Sequence, residues 1–556
     1  MIQRIGFLLA PCEKGISPHG YTNIPPLSLG ILSGYLKNEG YDVELYDLNS
    51  DLAKIYRNDE QFAFLYDKDI VLNCLTGEEN DKVNLFAEEL LQGIPIKDYD
   101  VIGISCGADF SFFQLHSAFL LAKYIKQKYK IPVILGGNNI TYLGIFKDTF
   151  SELLKIILEV FPYIIKGPGE VVIAELIQVL NGKMQKSVYE LDGMVYLKDG
   201  QVYMNPEHEP VVVCPDWCNL PMEYYYSKIK NPSYNGKWND KLEEENLIQV
   251  FKWPFFLTQY VSTVRKKRPR PEYMNKLILP YIFNFHCPFA CAFCSESDED
   301  RKRVIIGEAH KVVDDIEALI NKYKTNYFYF FNNAANASGK FIDEFCNYII
   351  DKKIDIKWSD CARFNNLTFE RLKLMRDAGC QKLVFGFETA SQKLIDLVEK
   401  KIDLSHGERV LKWCKELGII ADLEVITGLP QEKDEDFQET VQYVTKNRPY
   451  INYMTINEFF VVPNSKIGRY PERYNIELIR NVISYSKILE RSWKYFKEMK
   501  GKQTGNFKVY KYNEIGGRNY KEVADKTKFY IKALNNLQNK EFAEVEYVYR
   551  ILEQKS

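Results

Sequence analysis

Three cysteines lie within eight residues of the segment FNFHCPFACAFCSE: Cys287, Cys291 and Cys294. Thiolates bind zinc and iron–sulfur clusters. A structural zinc site needs four ligands, and the nearby histidines suit the fourth place poorly. His286 adjoins Cys287 in the backbone, and His310 is sixteen residues beyond Cys294. A cubane cluster has four iron corners, so three cysteines would leave one iron open to a chelating small molecule. The spacing therefore favours an iron–sulfur cluster with one open binding position.

The cysteines follow the first of several alternating strand and helix patterns. We predict six strands, at 277–285, 326–331, 354–359, 381–387, 421–427 and 451–460. Helical patterns lie between them, near 310–323, 339–353, 368–378, 405–418 and 434–446. Six such units running in one direction predict a partial (β/α)6 barrel, with its active site at the carboxyl ends of the strands.

A second alternating region precedes the barrel. The strand RIGFLLA at 4–10 is followed by a helical pattern in LSLGILSGYLKNEG and by the strand YDVELYDLN, and the same order recurs through YDVIGISCG and IPVILGGNN. This order predicts an α/β, doubly wound, Rossmann-like domain. Ligands of such sheets bind beyond the carboxyl ends of the strands. The glycine-rich stretches GISCG, LGGNN and KGPGE lie at those ends.

These patterns divide the chain into four segments. We predict a Rossmann-like domain at 1–185, an irregular linker at 186–275, the barrel at 276–475 and a small α-rich domain at 476–556. The linker includes the basic run VRKKRPRP at 264–271, which is either a solvated linker or a site for an acidic peptide or phosphate. We assign no role to the last segment.

Composition narrows the class of protein. The 73 Lys and Arg residues nearly balance the 75 Asp and Glu residues, so the charge does not indicate nucleic acid or an anionic membrane as a partner. The start MIQRIGFLLAPCE does not resemble a signal peptide, and Lys155 and Glu159 interrupt the most apolar later stretch. We therefore expect a soluble, cytoplasmic protein. Twelve cysteines in such a chain indicate free thiols and metal ligands.

The segment CPFACAFC, with Phe293 before its third cysteine and at the end of the first barrel strand, resembles the signature of radical S-adenosylmethionine (SAM) enzymes. The resemblance implies a [4Fe-4S] cluster whose open iron chelates the amino and carboxylate groups of SAM. It also implies reductive cleavage of SAM to methionine and a 5′-deoxyadenosyl radical, which abstracts a hydrogen atom. An external electron donor of the flavodoxin or ferredoxin type is the implied partner.

The resemblance also extends to the ends of the second and third strands. The family usually carries an acidic or Gly-Gly-Glu element after the second strand, for the amino group of SAM. Here FFNNAANAS stands instead, so Asn332, Asn333 and Asn336 would have to supply amide oxygens. After the third strand, Arg363 would pair with the methionine carboxylate, because a guanidinium fork suits a carboxylate.

The fourth and fifth strands end in two further similar motifs. GFETASQ resembles the ribose-binding segment of the family, with Glu388 and Ser391 as candidates. VITGLPQE resembles the loop beside the adenine, with Gly428 and Pro430. Each motif alone has an ordinary structural explanation, but their order after successive strands supports the joint interpretation.

A doubly wound domain ahead of such a barrel resembles the cobalamin-binding radical SAM family, over roughly 1–475. The similar segments are YTNIPPLSLGILSGYL, VIGISCG with Ser105, VILGGNN with Gly136 and Gly137, and YIIKGPGEVVIAEL. Glycines there would let the backbone approach a bulky nucleotide tail. Glycine-rich strand ends are, however, general in doubly wound folds, and such a domain can persist after losing its cofactor.

The expected cobalamin site lacks a histidine motif. The Asp-x-His-x-x-Gly element of many cobalamin proteins is absent; His19 lies in the right loop but has no preceding Asp, and His116 falls within a helix. We therefore expect cobalamin to bind without a histidine on the cobalt.

Three functions fit these features. The first is cobalamin-dependent methylation of an unactivated carbon; segments such as GGNNITYLGIF resemble enzymes that mature ribosomally made peptides, so the substrate is either a precursor peptide or a small molecule. The second is a cobalamin-independent epimerisation, cross-linking or rearrangement, in which Cys361 is either a hydrogen-atom donor or a buried structural residue. The third is a non-catalytic iron–sulfur protein, which the missing acidic motif would favour.

Overall fold

The computed structural model describes residues 1–13, 24–107, 111–147, 149–225, 277–295, 304–479, 484–499 and 511–537. The chain divides into two compact units. The first is Met1–Val250 with Val482–Phe507, and the second is Phe251–Asn481 with Lys508–Ser556. His19 and the basic run at 264–271 lie outside the described residues.

The first unit contains a seven-stranded sheet in the order β2-β1-β3-β4-β5-β6-β7. Its strands are β1 Arg4–Leu9, β2 Asp42–Asp47, β3 Val101–Ser105, β4 Val133–Gly136, β5 Tyr163–Ile165, β6 Met194–Lys198 and β7 Gln201–Met204. The first five strands are parallel, and β6 and β7 continue the sheet in antiparallel pairing. The predicted Rossmann-like domain is confirmed.

Eight helices cross between these strands in the described part of 1–225. They are α1 Leu27–Asn38, α2 Leu48–Ile55, α3 Lys68–Thr76, α4 Asp81–Leu91, α5 Phe112–Tyr129, α6 Asn138–Ile145, α7 Ser151–Val160 and α8 Glu170–Leu180. Short polar side chains start several of them: Asn80 caps α4 and Ser111 caps α5 by accepting hydrogen bonds from backbone N–H groups. Strand β3 is buried on both faces, as expected when helices cover both sides of a parallel sheet.

The described part of the predicted linker belongs to the first unit. Residues 194–204 form the β6–β7 hairpin, and the following segment packs on α1. Trp217 is fully buried and donates a hydrogen bond from its indole nitrogen to the Pro26 carbonyl, and Asn219 pairs with the Leu45 backbone in both directions. A buried tryptophan of this kind is typical of a core, so this segment is part of the domain and not a connector.

The second unit is built on six parallel strands in the order β15-β14-β13-β12-β11-β8. They are β8 Ile278–Tyr281, β11 Tyr327–Phe330, β12 Lys357–Ala362, β13 Cys380–Glu388, β14 Ile420–Thr427 and β15 Tyr453–Glu458. The short strands β9 Asn284–Phe285 and β10 Ile305–Ile306 pair beside the cysteine loop. The predicted partial barrel is confirmed, although the third strand lies three residues later than expected.

Seven α-helices lie between residues 304 and 479, and some of them pack on the sheet. They are α9 Ala309–Tyr323, α10 Gly339–Asp351, α11 Phe369–Asp377, α12 Gln392–Leu397, α13 Leu404–Glu416, α14 Asp434–Asn447 and α15 Lys466–Arg469. Phe345 of α10 contacts Phe330 and Trp358 of the sheet through ring pairs, which form an aromatic core between this helix and the sheet.

The last part of the chain divides between the two units. Helix α16 Tyr485–Met499 belongs to the first unit, where Trp493 and Phe496 pack on Tyr66. Strands β16 Ile476–Ile479 and β17 Lys511–Glu514 form an antiparallel pair in the second unit, followed by helix α17 Tyr520–Asn535. Among the described residues, no helix has both the length and the apolar character that a bilayer crossing requires.

Candidate functional site

The cysteine loop leaves β9 through His286, whose φ of 62° turns the chain sharply toward Cys287. Cys291 is buried, and Cys287 and Cys294 are half-buried. Backbone hydrogen bonds hold the loop: the Cys294 N–H donates to the Cys291 carbonyl at 3.0 Å, and the Ala292 N–H to the Val398 carbonyl at 2.8 Å. All twelve cysteines of the chain are free thiols.

The three thiols are not arranged as ligands of one ion. In the described part of the chain, no three His, Cys, Asp or Glu side chains converge as ligands of a single metal ion. A cubane takes one thiolate at each iron corner, so its cysteines need not converge on one atom. Burial raises the pKa of Cys287, while the Phe289 N–H and the Arg363 charge oppose that rise. The nearby positive charge therefore favours the thiolate that an iron ligand requires.

Asn332 holds the base of the cysteine loop through its side-chain amide. Its side-chain oxygen accepts hydrogen bonds from the N–H groups of Phe283 and Asn284, both at 2.9 Å, and its amide nitrogen donates to Asp360 at 2.6 Å. A carbonyl oxygen has two lone pairs, so no acceptor remains for an ammonium group. The predicted contact of Asn332 with the SAM amino group would require this oxygen to release one of the two N–H groups. Asp360, a fully buried acid, was missed because its partner is far away in the sequence.

Asn336 also serves the backbone. Its amide nitrogen donates to the carbonyls of Arg363 and Asn365, and its oxygen accepts from the Arg363 N–H. Asn336 therefore holds the end of β12 in place, with one oxygen lone pair left. Asn333 is exposed at the same strand end. Of the three predicted asparagines, Asn333 is the one whose side chain makes no hydrogen bond recorded within the described residues.

Arg363 lies against the cysteine loop. Its guanidinium stacks over the Phe289 ring at 3.8 Å and points one nitrogen at Cys291 Sγ, 3.5 Å away. A second nitrogen donates to the Lys400 carbonyl. The third, Nε, has no hydrogen-bond partner. Because Arg363 is only 6% exposed, this donor is also shielded from bulk water. An orphaned donor on a buried cation fits an anionic ligand at this position.

Glu388 forms a buried ion pair that the sequence did not reveal. Its carboxylate lies 2.5 Å from the Lys400 ammonium, and both side chains are 7% exposed. The Lys400 nitrogen also lies 5.6 Å from the Phe293 ring centre, so the pair extends to the cysteine loop. Lys400 stands beside Lys401 in the sequence, and composition alone cannot show which lysine is buried.

Ser391 faces the protein interior. It is 1% exposed, and its hydroxyl donates to Asp436 at 2.6 Å. A hydroxyl has one donor, so Ser391 cannot also donate a hydrogen bond to a ribose. Ser391 stays a candidate for the ribose only as a hydrogen-bond acceptor. The same carboxylate accepts from the Lys433 N–H, so this contact fixes the start of α14.

The loop after β14 turns at Gly428, which has a φ of 81°. A β-carbon there would lie 2.5 Å from Thr527 Oγ1, so glycine is required both by the backbone and by the space. Pro430 is buried in the same turn. Both predicted residues thus lie together at the carboxyl end of the strand.

Cys361 lies on β12, and Arg363 follows two residues later, just beyond the end of the strand at Ala362. Burial raises the pKa of the thiol to about 12, and the acids Asp360 and Glu424 add to the effect. Cys361 therefore stays a neutral thiol at ordinary pH.

The predicted cobalamin residues of the first unit lie at two neighbouring strand ends. Ser105 pairs with Gly136 in the β3–β4 register. Gly137 has a φ of 106°, and a β-carbon there would lie 2.7 Å from the Cys106 carbonyl oxygen, so packing alone explains this glycine. Among the described residues, a β-carbon at Gly136 would meet only the Ile165 carbonyl oxygen, at 3.4 Å.

An orphaned polar atom lies beside these glycines. The side-chain oxygen of Asn139 is buried without a hydrogen-bond partner. The open space at Gly136 and this oxygen fit a polar ligand at the strand ends. His116 cannot contribute to such a site, because its two ring nitrogens bond to the Leu65 carbonyl and the Tyr485 hydroxyl. Burial lowers the pKa of His116 to about 4.

Comparison with known families identifies the barrel. Residues 281–444 match the model of the Radical SAM superfamily. The chain carries a radical SAM domain. The matched range holds the cysteine loop, Arg363, Glu388 and Gly428, so the resemblance inferred from those motifs is confirmed.

Two related sequences align with most of this chain. "Uncharacterized methyltransferase PH0819" from Pyrococcus horikoshii is 22% identical over 88% of this chain and 87% of its own length. The anaerobic magnesium-protoporphyrin IX monomethyl ester cyclase of Rubrivivax gelatinosus is 23% identical over 75% of this chain and 61% of its own length.

Two solved structures share the two-unit fold. The radical SAM methyltransferase TsrM from Kitasatospora setae, with cobalamin and a [4Fe-4S] cluster bound, has a TM-score of 0.53 and 15% identity over 88% of this chain and 84% of TsrM. The cobalamin-dependent radical enzyme OxsB, with aqua-cobalamin and SAM bound, has a TM-score of 0.51 and 15% identity over 90% of this chain and 56% of OxsB. This chain therefore shares the fold of TsrM and OxsB.

Proposed function

We propose that this radical SAM protein binds a [4Fe-4S] cluster through Cys287, Cys291 and Cys294 and cleaves SAM reductively to modify an unactivated carbon. The observation that supports this most directly is the buried Arg363. Its guanidinium reaches the thiol of Cys291, 72 residues earlier in the chain, while its Nε has no hydrogen-bond partner. A buried cation with an unused donor is costly unless a ligand completes it. The methionine carboxylate of SAM would do so.

The other strand-end residues would complete the SAM site. Phe293 and the Glu388–Lys400 pair lie beside the cysteine loop, where Glu388 would accept a hydrogen bond from the ribose. Asn333 is the remaining candidate for the amino group. Gly428 and Pro430 would form the adenine side. The cluster, when bound, supplies the electron; the residues orient the sulfonium toward it and exclude water from the barrel.

We propose methyl transfer as the reaction. The support is the fold shared with TsrM and OxsB, whose structures contain cobalamin, and the methyltransferase name of the Pyrococcus relative. In the first unit, Ser105, Gly136 and Gly137 would line the nucleotide tail, with no histidine on the cobalt. Cobalamin would supply the methyl carrier. The expected substrate is either a precursor peptide or a small molecule, and the expected reductant is a flavodoxin or ferredoxin of the cytoplasm.

Anaerobic reconstitution tests the proposal. Purified protein, assembled with iron, sulfide and cobalamin, should show corrinoid absorption beside the cluster bands and form 5′-deoxyadenosine from SAM. Methylation should consume two SAM molecules per product. Cys291→Ala should lose the cluster, and the matched variant Cys218→Ala, at an exposed cysteine of the first unit, should keep it. Protein without iron and sulfide would refute the proposal, and cluster protein without corrinoid bands would refute methyl transfer.

Cys361 supports a second candidate, hydrogen-atom donation without methyl transfer. Its pKa of about 12 keeps the S–H bond intact, and it lies on β12 two residues before Arg363. In this reaction the thiol hydrogen passes to a carbon radical of the substrate, and the resulting thiyl radical regains one electron from the external reductant and one proton from solvent. In D2O, product should gain deuterium and no methyl group. Deuterium that persists in Cys361→Ala would exclude this role.

A further inference from the structure

The C-terminal segment, residues 511–535, reaches the loop that follows β14. This loop, residues 427–432, is termed the adenine-side loop. The two are separated by about eighty residues of sequence, and the motifs of the barrel give no reason to expect contact between them. In the second unit, three side chains of the C-terminal segment meet the loop: Tyr512, Glu514 and Thr527.

The C-terminal segment and Glu432 fix the peptide groups around Gly428. Tyr512 donates from its hydroxyl to the Gly428 carbonyl at 2.6 Å. The Gly428 N–H donates to Glu432 Oε2 at 2.5 Å. Thr527 fills the space at the Gly428 α-carbon, where a β-carbon would lie 2.5 Å from its hydroxyl oxygen. The N–H and the carbonyl of Gly428 are both hydrogen-bonded within the protein. This glycine would therefore contact an adenine by van der Waals packing and not by a backbone hydrogen bond.

A second contact holds the far end of the adenine-side loop. The Gln431 N–H donates to Glu514 Oε1 at 2.7 Å, and Gln431 also donates from its side chain to the Tyr474 carbonyl. Glu514 is held in turn by Arg518, 2.6 Å away. The loop is thus tied to the C-terminal segment at both ends.

One apolar core joins these elements to the cysteine loop. Tyr512 and Val523 of the C-terminal segment pack in one cluster with Leu429 of the adenine-side loop and Ala292 of the cysteine loop. Phe293 packs against the same cluster. Leu429 and Ala292 are fully buried in it. A shift of the C-terminal segment would therefore disturb the adenine-side loop and the cluster-binding loop together.

We propose that the C-terminal segment is a positioning element for SAM and that Tyr512 is the residue through which it sets the adenine-side loop. The proposal rests on the proposed function, because it requires that SAM binds at this barrel mouth. A loop held in its bound shape costs less entropy when the ligand arrives, so the segment would strengthen SAM binding without touching the reacting atoms.

Tyr512→Phe tests the proposal by removing only the hydroxyl. We expect the KM for SAM in 5′-deoxyadenosine formation to rise about five- to tenfold, since one buried hydrogen bond is lost, while kcat and the iron content stay near those of the unmodified protein. Tyr530→Phe is the matched control. Tyr530 lies in the same segment and also donates one hydrogen bond, but its acceptor is Asp434 and its ring stacks on Phe437. Its KM should not change.

The outcomes separate the two proposals. If unmodified protein forms no 5′-deoxyadenosine, the proposed function fails. If it does and Tyr512→Phe has the same KM, the positioning role is refuted and the proposed function stands. If Tyr512→Phe does not fold, Glu514→Ala probes the loop from its other end, and an unchanged KM in that variant likewise refutes the positioning role.

Discussion

Arg363 serves three neighbours with one guanidinium. It stacks on Phe289, points at Cys291 and donates to the Lys400 carbonyl, which leaves Nε for a ligand. A lysine has no planar fork and could not satisfy these directions at once. The site therefore depends on the shape of this cation as well as on its charge.

The first prediction concerns this shape. Arg363→Lys should raise the KM for SAM about 10- to 100-fold, the loss expected for a charge-assisted hydrogen bond, with the cluster retained. Arg371→Lys is the control, because Arg371 forms a forked pair with Asp343, at 2.7 Å to each carboxylate oxygen. Steady-state 5′-deoxyadenosine formation measures both variants. Equal KM values for the two variants would contradict the assignment.

A second prediction concerns the buried acid of the adenine-side loop. Burial raises the pKa of Glu432 from 4.5 to about 7. The folded protein holds this proton more tightly than the unfolded chain, so the stabilisation is complete below pH 4.5 and is lost as pH rises through about 7. Glu432→Gln cannot titrate. Urea unfolding should show that the variant loses about 2 to 3 kcal/mol less stability than the unmodified protein between pH 5 and pH 8.

At single residues, the sequence indicated which side chains could bind SAM, but not which of them are already hydrogen-bonded within the protein. Arg363 was predicted because its chemistry matches a carboxylate. Asn332, Asn336 and Ser391 were expected to face SAM, yet they bond mainly to the protein itself. Buried backbone groups need partners just as ligands do, and a polar residue after a strand can serve either. Sequence does not distinguish the two uses.

At the scale of elements, the third barrel strand shows why its boundary was misplaced. Its predicted end, at residue 359, precedes an aspartate, which strands usually avoid. The strand continues to Ala362 because Asp360 is held by Asn332 and by the Cys361 N–H. The same asparagine anchors the cysteine loop, so the strand extension and the loop entry have one cause.

Asn332→Ala should therefore weaken two elements together. It leaves the N–H groups of Phe283 and Asn284 and the Oδ2 atom of Asp360 unpaired, so we expect a loss of about 2 to 4 kcal/mol in unfolding free energy and less iron per chain after reconstitution. Asn326→Ala, at the other end of the β11 region, removes one half-exposed contact and should change stability by less than about 0.5 kcal/mol. Full iron content in Asn332→Ala would show that the loop does not need this anchor.

At the scale of the molecule, the alternating strands and helices could be predicted from the sequence. The return of the chain to the first unit after the barrel could not. Strand and helix periodicity revealed both sheets. No periodicity distinguishes α16, which belongs to the first unit, from α17, which belongs to the second. Helix α16 belongs to the first unit because its aromatic side chains pack on Tyr66 and Phe113, which lie far earlier in the chain.

Phe496→Ala tests the membership of α16. Phe496 is 2% exposed and contacts Tyr66 and Phe113, so its loss should destabilise the first unit by about 3 to 5 kcal/mol in urea unfolding followed by circular dichroism. Phe529→Ala is the control, since that ring is 61% exposed on α17. A small effect at both positions would place α16 outside the core.

The path of the chain has a consequence for protein synthesis. The first sheet emerges early from the ribosome, but helix α16, which packs on Tyr66 and on Phe113 of α5, is translated only after the whole barrel. Until then, the apolar surface formed by these rings is exposed to water and to other nascent chains. A protein truncated before residue 485 would lack α16 and keep this apolar surface exposed. It should be insoluble, even though it contains every strand of the first sheet.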